Sequence, residues 1–392
     1  VKWSAVRRKL ARVDRAIDKA IEASEIPGAV VLARMPVGGE LIEHCSVRGL
    51  AVVRPERLPM TRETLFDLAS LTKPLATTTA VMLLAHDGAL ELDAPVAKYL
   101  PVFAERDKHK VTLRHLLTHS SGLKPWRPFH ELLIEKERKT GERWLQTAAA
   151  RELILERVLR SGLVHEPGAA AVYGDLDFIA LGALVEAVSQ QRLDDFVRAR
   201  ITGPLGLSET FFVPLGEGAG MPDALRRRTA ATENCPWRER ILWGEVHDPN
   251  AWAMGGVAGH AGLFGSADDL MRFATTLLDV WHGRSDALPR EWLQRFAARQ
   301  HLPEKSDWAL GWDTPTAGAS SSGQYFSAHS IGHLGFTGTS LWIDLDAEAV
   351  VVMLTNRVHQ VAKRSKFGLR PVIHDLIREG FSAGAPDPKS AE

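Results

Sequence analysis

Six apolar residues in a row, Ala349-Val-Val-Val-Met-Leu354, closed by Thr355, constrain the fold more than any other stretch of this chain. A strand without a polar face has to be covered on both sides. The preceding Ser340 to Leu345 (SLWIDL) alternates, and Asp346-Ala-Glu348 between the two is a hairpin-length loop. Near the other end, Gly28 to Met35 (GAVVLARM) and Leu41 to Val47 read as strands joined by a turn containing Gly39. Strands at both ends with helical sequence between them predict that the two ends meet in one sheet, interrupted by a helical insert. Two amphipathic helices are available as cover. One has Ser4 as N-cap and a Val6, Leu10, Val13, Ile17, Ile21 stripe, and stops before Pro27-Gly28. The other is Pro371 to Phe381, with proline at its start and Ile373, Leu376 and Ile377 on one face.

The insert is periodic in several places. Val111-Thr-Leu-Arg-His-Leu-Leu runs into a helix stop at Thr118-His-Ser-Ser-Gly122, and Trp144 to Leu163, Phe178 to Ser189 and Leu193 to Ile201 follow the helical period. The 124–144 stretch, charged and bearing two prolines, reads as an irregular surface excursion. From 215 to 265 glycine dominates, and neither His247-Asp-Pro-Asn250 nor Gly255 to Gly262 suits a core helix. Such backbone approaches a substrate closely or makes a tight connection. Ser266-Ala-Asp-Asp269 reads as a capping box opening a helix from Leu270 to Trp281. The expected organisation is a sheet subdomain from 1–66 and 231–392 and a mainly helical subdomain from 67–230, together one catalytic domain.

Composition narrows the classes. At 392 residues the chain can bury a large core. Its 48 Lys+Arg balance 48 Asp+Glu, so nothing draws it toward nucleic acid or an anionic membrane. Arg7-Arg8-Lys9 and Arg226-Arg227-Arg228 read as solvated faces. Cys45 and Cys235 offer neither a disulfide framework nor zinc spacing, and two lone thiols are expected. No run of eighteen apolar residues exists, so no membrane span is expected. The opening from Val1 lacks the basic-then-apolar pattern of a signal peptide. Compartment and oligomeric state are not legible. Trp126, Trp237, Trp243, Trp252 and Trp312 fall in loop-like stretches, where they wall a pocket or pack the loops.

The chemistry concentrates in Phe66 to Asp87 (FDLASLTKPLATTTAVMLLAHD), where Leu71, Leu75, Val81, Met82 and Ala85 recur at helical spacing and Gly88 ends the run. Ser70 and Lys73, three apart, share a helix face. In a first turn the serine has unpaired N–H groups and the positive dipole end beside it. A lysine under apolar neighbours loses its proton toward neutral pH. That is an activated nucleophile. Chance also supplies S-x-x-K, and Ser121-Gly-Leu-Lys124 is a second match, in poor helical context between Gly122 and Pro125.

Two further motifs favour the first match. Tyr173-Gly-Asp175 follows the Pro167-Gly168 turn, and a phenol beside a Ser–Lys pair can relay a proton to a leaving group. His333-Leu-Gly335 precedes the SLWIDL strand. A small residue at 335 lets the backbone pass beside an acyl carbon, so that the N–H groups of Phe336 and Ser70 form an oxyanion hole. Asn356-Arg357, ending the apolar strand, can bring a guanidinium to the rim to meet a carboxylate. His115, His119, His247 and His260 lack zinc-like pairing and read as structural. G-x-S-x-G, P-loop and H-E-x-x-H motifs are absent from the sequence.

In order and spacing, Ser70-Leu-Thr-Lys73, Tyr173-Gly-Asp175 and His333-Leu-Gly335 resemble the signatures of the serine β-lactamase/penicillin-binding-protein superfamily. The match is closer to its class C β-lactamase-like branch, which includes esterases and D-aminopeptidases. Connecting phrases agree: Asp93-Ala-Pro-Val-Ala-Lys-Tyr-Leu-Pro, Leu116-Leu-Thr-His-Ser-Ser-Gly-Leu, Gly259-His-Ala-Gly-Leu-Phe-Gly-Ser and Gly332-His-Leu-Gly-Phe-Thr-Gly-Thr-Ser. The resemblance spans roughly residues 10 to 380. It implies an α+β fold: an antiparallel sheet flanked by N- and C-terminal helices, plus a mainly helical subdomain carrying the nucleophile. It also implies a two-step, cofactor-free and metal-free acyl-enzyme mechanism on a small-molecule or peptide substrate. Ser70 is then the nucleophile, Lys73 accepts or shares its proton, and Tyr173 protonates the leaving group. The N–H groups of Ser70 and Phe336 are the oxyanion donors, and Asp175, His333 and Gly335 line the substrate; Arg357 joins the substrate-binding candidates from its place at the end of the apolar strand.

Two positions depart from the pattern. Asp175 stands where the family carries an amide; it accepts from Lys73 but donates nothing to an acyl carbonyl, and it favours protonated lysine. His333 stands where β-lactamases carry lysine, and neutral histidine holds a carboxylate less well. The expected activity is therefore hydrolysis of a small ester, amide or D-amino-acid peptide. The alternatives are a true class C-like β-lactamase or D,D-carboxypeptidase, or a penicillin-recognising module without turnover.

Overall fold

The computed structural model describes residues 3–106, 108–359 and 367–383. Helix α1 (Trp3–Glu22) leads into strands β1 (Gly28–Val37) and β2 (Glu40–Val52), then the short strands β3 (Leu58–Pro59) and β4 (Phe66–Asp67). A 3-10 turn (Ala69–Leu71), a π-helical turn (Lys73–Thr78) and α2 (Thr79–His86) follow. The helical region continues with α3 (Leu113–Leu117), α4 (Phe129–Thr140), α5 (Ala148–Leu159), α6 (Asp175–Ser189) and α7 (Leu193–Val197). Next come β5 (Phe211–Phe212), α8 (Asp223–Arg227), β6 (Asn234–Cys235), β7 (Arg240–Ile241), α9 (Pro249–Ala253) and β8 (Leu263–Gly265). The chain closes through α10 (Ala267–Trp281), α11 (Arg290–Ala297), β9 (Ser330–Leu334), β10 (Ser340–Asp344), β11 (Ala349–Thr355) and α12 (Leu369–Ser382).

Among the described residues the main sheet has the order β3-β2-β1-β11-β10-β9, every pairing antiparallel. The two ends of the chain meet where β1 pairs with β11, from Ala29 opposite Thr355 to Arg34 opposite Val350. Because side chains alternate along a strand, the apolar run divides between two cores. Val350, Val352 and Leu354 join Val30 and Leu32 in the large core shared with the helical region. Val351 and Met353 join Ala29, Val31 and Ala33 beneath α1 and α12, with Val13, Ile17, Ile373 and Ile377 completely buried. The α+β architecture expected from the sequence is the one observed.

Several local expectations are corrected. The 124–144 stretch contains α4: Pro125 and Pro128 precede it, Gly141 ends it at φ 71°, and only Phe129, His130 and Leu133 are buried, so the charges are its solvated face. Ser4 lies inside α1 rather than at its cap. Pro371 is the third residue of α12, where a first-turn N–H needs no partner. Pro249 likewise starts a one-turn helix, capped by the Asp248 carboxylate, inside the glycine-rich stretch. The Ser266 hydroxyl caps α10, but the Asp269 carboxylate turns away to accept from Glu209 N–H and Thr210, so the box is half formed. Both cysteines are free, and no helix of the described residues is long and apolar enough to cross a membrane.

Candidate active site

The segment around Ser70 is not the regular α-helix that its periodicity suggests. Phe66–Asp67 pairs with β8, and the buried Asp67 carboxylate accepts from Ala69 N–H (2.8 Å) and His247 N–H (2.6 Å). Burial raises the Asp67 pKa, and these two donors oppose the rise. Ala69 is held at φ 49°, a left-handed conformation that costs a non-glycine residue energy and persists only where its surroundings enforce it. Thr337 Oγ1 donates to Asp67 O (2.8 Å), Thr339 Oγ1 donates to Leu68 O (3.1 Å), and Thr72 Oγ1 accepts from Leu263 N–H (3.1 Å). The segment is thus tied to the β9–β10 turn and to the glycine-rich stretch.

Ser70 Oγ and Lys73 Nζ meet at 3.0 Å. Lys73 is completely buried, and its Nζ also donates to Asp175 Oδ1 (2.8 Å) and His260 O (3.3 Å). Three donors with three acceptors describe an ammonium. Burial pushes the Lys73 pKa down, but Asp175 and Tyr173 outweigh it and the net value lies above that of ordinary lysine. The expectation that packing alone frees the lysine is therefore corrected, and the expectation that Asp175 favours the protonated form agrees with the geometry.

Tyr173 opens its ring edge to solvent, 40% exposed, while its hydroxyl interacts with Lys73 and Ser70. Burial of that hydroxyl raises its pKa, against the pull of Lys73. The ring stacks on Trp308 (5.7 Å, 17°), lies 4.7 Å from His119, and has Lys73 Nζ 4.9 Å from its centroid.

His333 is buried on β9, the sheet's edge strand, 5.8 Å from the Tyr173 ring. Its Nδ1 donates to Leu334 O (2.9 Å), so the proton sits there and Nε2 presents a lone pair without a partner among the described residues. Burial and Lys73 hold its pKa well below the usual histidine value. His333 is an acceptor here, not a cation. Gly335 is small for a reason the sequence only hinted at: a Cβ would lie 2.7 Å from Leu68 O and 2.0 Å from Thr339 Oγ1. That contact sets the turn carrying Phe336 against the Ser70 segment. The Phe336 N–H donates to no acceptor among the described residues. Arg357 N–H donates to Thr337 O (3.0 Å), its side chain lies against Gly338 of the same turn, and its guanidinium is 4.8 Å from the Phe367 ring centroid.

Sequence reasoning missed several members of this neighbourhood. The Gly255–Gly262 stretch packs backbone to backbone on α6, where a Cβ at Gly259 would meet Phe178 O at 2.1 Å, and this delivers His260 O to Lys73. The His260 ring pairs with Asp248 Oδ1 (2.8 Å). Burial alone would raise the Asp248 pKa, but His260 and Ala251 N–H hold it well below the carboxylate range. Asp175, Asp248 and His260 each bring one ligand atom within 4.8 Å of the others, a spacing compatible with a cation. Asp175 is already bound to Lys73, and Asp248 to the His260 ring. His119 and Trp308 wall Tyr173, whereas His115 only closes the cap of α3 on Thr112. His119 and His260 stood inside the phrases shared with the family, but nothing in those phrases gave them a role; the repeated glycines before His260 were the nearest signal. The rim carries exposed aromatics: Phe336 (58%) on His247, and Trp126 and Trp237 around His130. A half-buried serine on a buried lysine, beneath a phenol and near the Ser70 and Phe336 N–H groups, can form and hydrolyse an ester on the serine.

Comparisons with known proteins bear on the family and the fold. The family model described as Beta-lactamase matches residues 13–370. A protein of Salmonella enteritidis PT4, provisionally named D-alanyl-D-alanine carboxypeptidase, is 32% identical over 343 residues, covering 81% of this chain and 75% of that protein. Two solved structures share the fold over 96% of this chain. EstCE1, described as a hydrolase with promiscuous acyltransferase activity, aligns over 98% of its length at 23% identity and a TM-score of 0.69. An octameric penicillin-binding protein homologue from Pyrococcus abyssi aligns over 77% at 20% identity and the same TM-score.

Proposed function

The chain belongs to the Beta-lactamase family of serine hydrolases, and from that premise we propose that it hydrolyses a small ester, amide or D-amino-acid peptide through an acyl-enzyme on Ser70. The observation that carries the proposal is the 3.0 Å contact of Ser70 Oγ with a buried Lys73, itself 2.8 Å from Asp175. In the resting site the lysine is an ammonium, so a proton leaving Ser70 needs somewhere to go. A concerted relay supplies the path. Lys73 gives one proton to Asp175 as it takes that of Ser70, whose oxygen bonds to the acyl carbon. The carbonyl oxygen gathers negative charge against the N–H groups of Ser70 and Phe336. Tyr173 passes a proton to the departing alcohol or amine and recovers one from Asp175 through Lys73, which resets the site. Water then repeats the sequence against the ester, restoring Ser70.

The relatives' carboxypeptidase names support a D-amino-acid peptide as one candidate. The acceptor-only His333 supports substrates that do not need a cation at that position. Exposed aromatics at the rim favour an apolar acyl group. Intact-mass spectrometry of native protein and Ser70→Ala, against p-nitrophenyl esters, D-alanyl peptides and β-lactams, tests the proposal. A mass increment on native protein that is absent from Ser70→Ala is the expected result, and equal labelling of the two by a fluorophosphonate would overturn it.

A further inference from the structure

The backbone N–H groups on either side of Tyr173 are both taken by one residue. Val172 N–H donates to His119 O at 2.8 Å, and Gly174 N–H donates to His119 Nδ1 at 3.3 Å. His119 is buried and held at φ 55°, with its ring also 4.6 Å from Trp308 and 5.2 Å from Phe178. Behind it stands Asp177, buried in the first turn of α6, two residues after the Asp175 that binds Lys73. Asp177 Oδ2 lies 3.3 Å from the same His119 Nδ1, and its Oδ1 accepts from the Ser121 hydroxyl. Ser121 Oγ in turn accepts from Leu123 N–H at 3.0 Å. The serine of the rival S-x-x-K match thus belongs to this buried chain.

One arrangement of protons satisfies both contacts at Nδ1. His119 Nδ1 accepts from an amide, so the ring's proton is on Nε2. An ionised carboxylate would set a lone pair against the Nδ1 lone pair; the 3.3 Å contact calls for a protonated Asp177 that donates. Burial, the largest influence, pushes the Asp177 carboxyl up to about 8 although Ser121 and Lys73 oppose it. Burial and Lys73 push His119 down to about 3. The pair is neutral at pH 7 and is not a salt bridge. Burying this polar trio is costly, and His119 Nε2 has no partner among the described residues. Apolar side chains would close the start of α6 at lower cost.

We propose that Asp177 and His119 are positioning residues for Tyr173: Asp177, as a neutral hydrogen-bond donor, fixes the His119 ring, and His119 holds the tyrosine hydroxyl over Lys73 and Ser70. The proposal rests on Ser70 and Tyr173 being the reacting groups, as put forward above. Neither Asp177 nor His119 contacts Ser70 or Lys73 by a hydrogen bond, whereas His119 bonds the backbone on both sides of Tyr173, so their positional influence passes through the tyrosine.

The test measures p-nitrophenyl butyrate kcat and KM, fluorophosphonate labelling of Ser70 and thermal melting. It uses native protein, Asp177→Asn, Asp177→Ala, Ser121→Ala, Tyr173→Phe and the Asp177→Ala/Tyr173→Phe double variant. Asparagine can donate to Nδ1 and accept from Ser121, so Asp177→Asn is expected within about threefold of native. Asp177→Ala is expected to lose about tenfold or more in kcat with KM little changed, and to add nothing to the loss in Tyr173→Phe. The inference is overturned if Asp177→Asn falls as far as Asp177→Ala, or if the losses of Asp177→Ala and Tyr173→Phe multiply. Should Asp177→Ala not fold, Ser121→Ala and its double variant with Tyr173→Phe take its place under the same criteria. Native protein that leaves Ser70 unlabelled overturns the hydrolase assignment instead, and this inference with it.

Discussion

Lys73 Nζ lies 2.8 Å from Asp175 Oδ1, with the lysine completely buried and the carboxylate one-fifth exposed. Burial by itself lowers the lysine pKa; Asp175, with Tyr173, reverses that direction. The site is therefore a charge-balanced pair that must move a proton between its own members before it can take one from Ser70.

Replacing Asp175 by asparagine removes the largest influence holding the Lys73 pKa up, and burial then dominates. Without the Asp175 acceptor of the relay, Lys73 takes the Ser70 proton only when it is itself neutral, so the acid limb of kcat/KM against pH is expected to move to higher pH by about one unit or more. A pH profile with a p-nitrophenyl ester measures it. An unmoved limb would show that Lys73 is not the titrating base.

Gly335→Ala is expected to reduce acylation far more than stability. Its Cβ would press on Leu68 O and Thr339 Oγ1, driving the Phe336 turn away from the Ser70 segment. Losing one oxyanion donor costs about 10²–10³ in rate. Burst kinetics with the same ester, beside a melting curve, separate the two effects. Native acylation in a destabilised variant would place the oxyanion hole elsewhere.

Nitrocefin turnover is expected to be slower than ester turnover by about 10² or more in kcat/KM, a difference of about 2.7 kcal/mol. The reason is His333, which offers a lone pair where a β-lactam carboxylate needs a cation. Because its pKa is held well below 6.5, lowering the pH to 6 should not rescue the reaction. Comparable rates for the two substrates would remove the argument from His333.

Asp177 predicts a pH dependence of stability. Its folded pKa of about 8 exceeds the ordinary carboxyl value of about 3.9, so between these values the folded state binds more protons than the unfolded state. The Asp177 contribution is complete below the unfolded value and is lost as pH rises through about 8. Asparagine has no proton to lose. The melting temperature of Asp177→Asn relative to native should therefore rise from pH 5 to pH 9. A constant difference across that range would mean that Asp177 does not titrate there.

How much was legible follows from the range of the interactions involved. The β10–β11 hairpin and the α1 stripe were readable because alternation and helical spacing are local properties of a few consecutive residues. The α4 helix was misread because charge and prolines were weighed without knowing that His130 and Leu133 face a buried surface. His119 was read as structural because nothing beside it in sequence announces Tyr173. His260 was read the same way, although its carbonyl is bonded to Lys73.

The sequence by itself determined the sheet with its covering helices, the family, and the identity of the Ser70–Lys73 pair, because each of these is written in short-range spacing or in ordered motifs. Only the tertiary structure decided the electrical state of the pair. Lys73 meets Asp175 across 102 positions and His260 O across 187, and His119 meets Asp177 across 58. Protonation in a buried site depends on desolvation and on charges a few ångströms away. Both are set by how distant segments pack, and no window of sequence contains them.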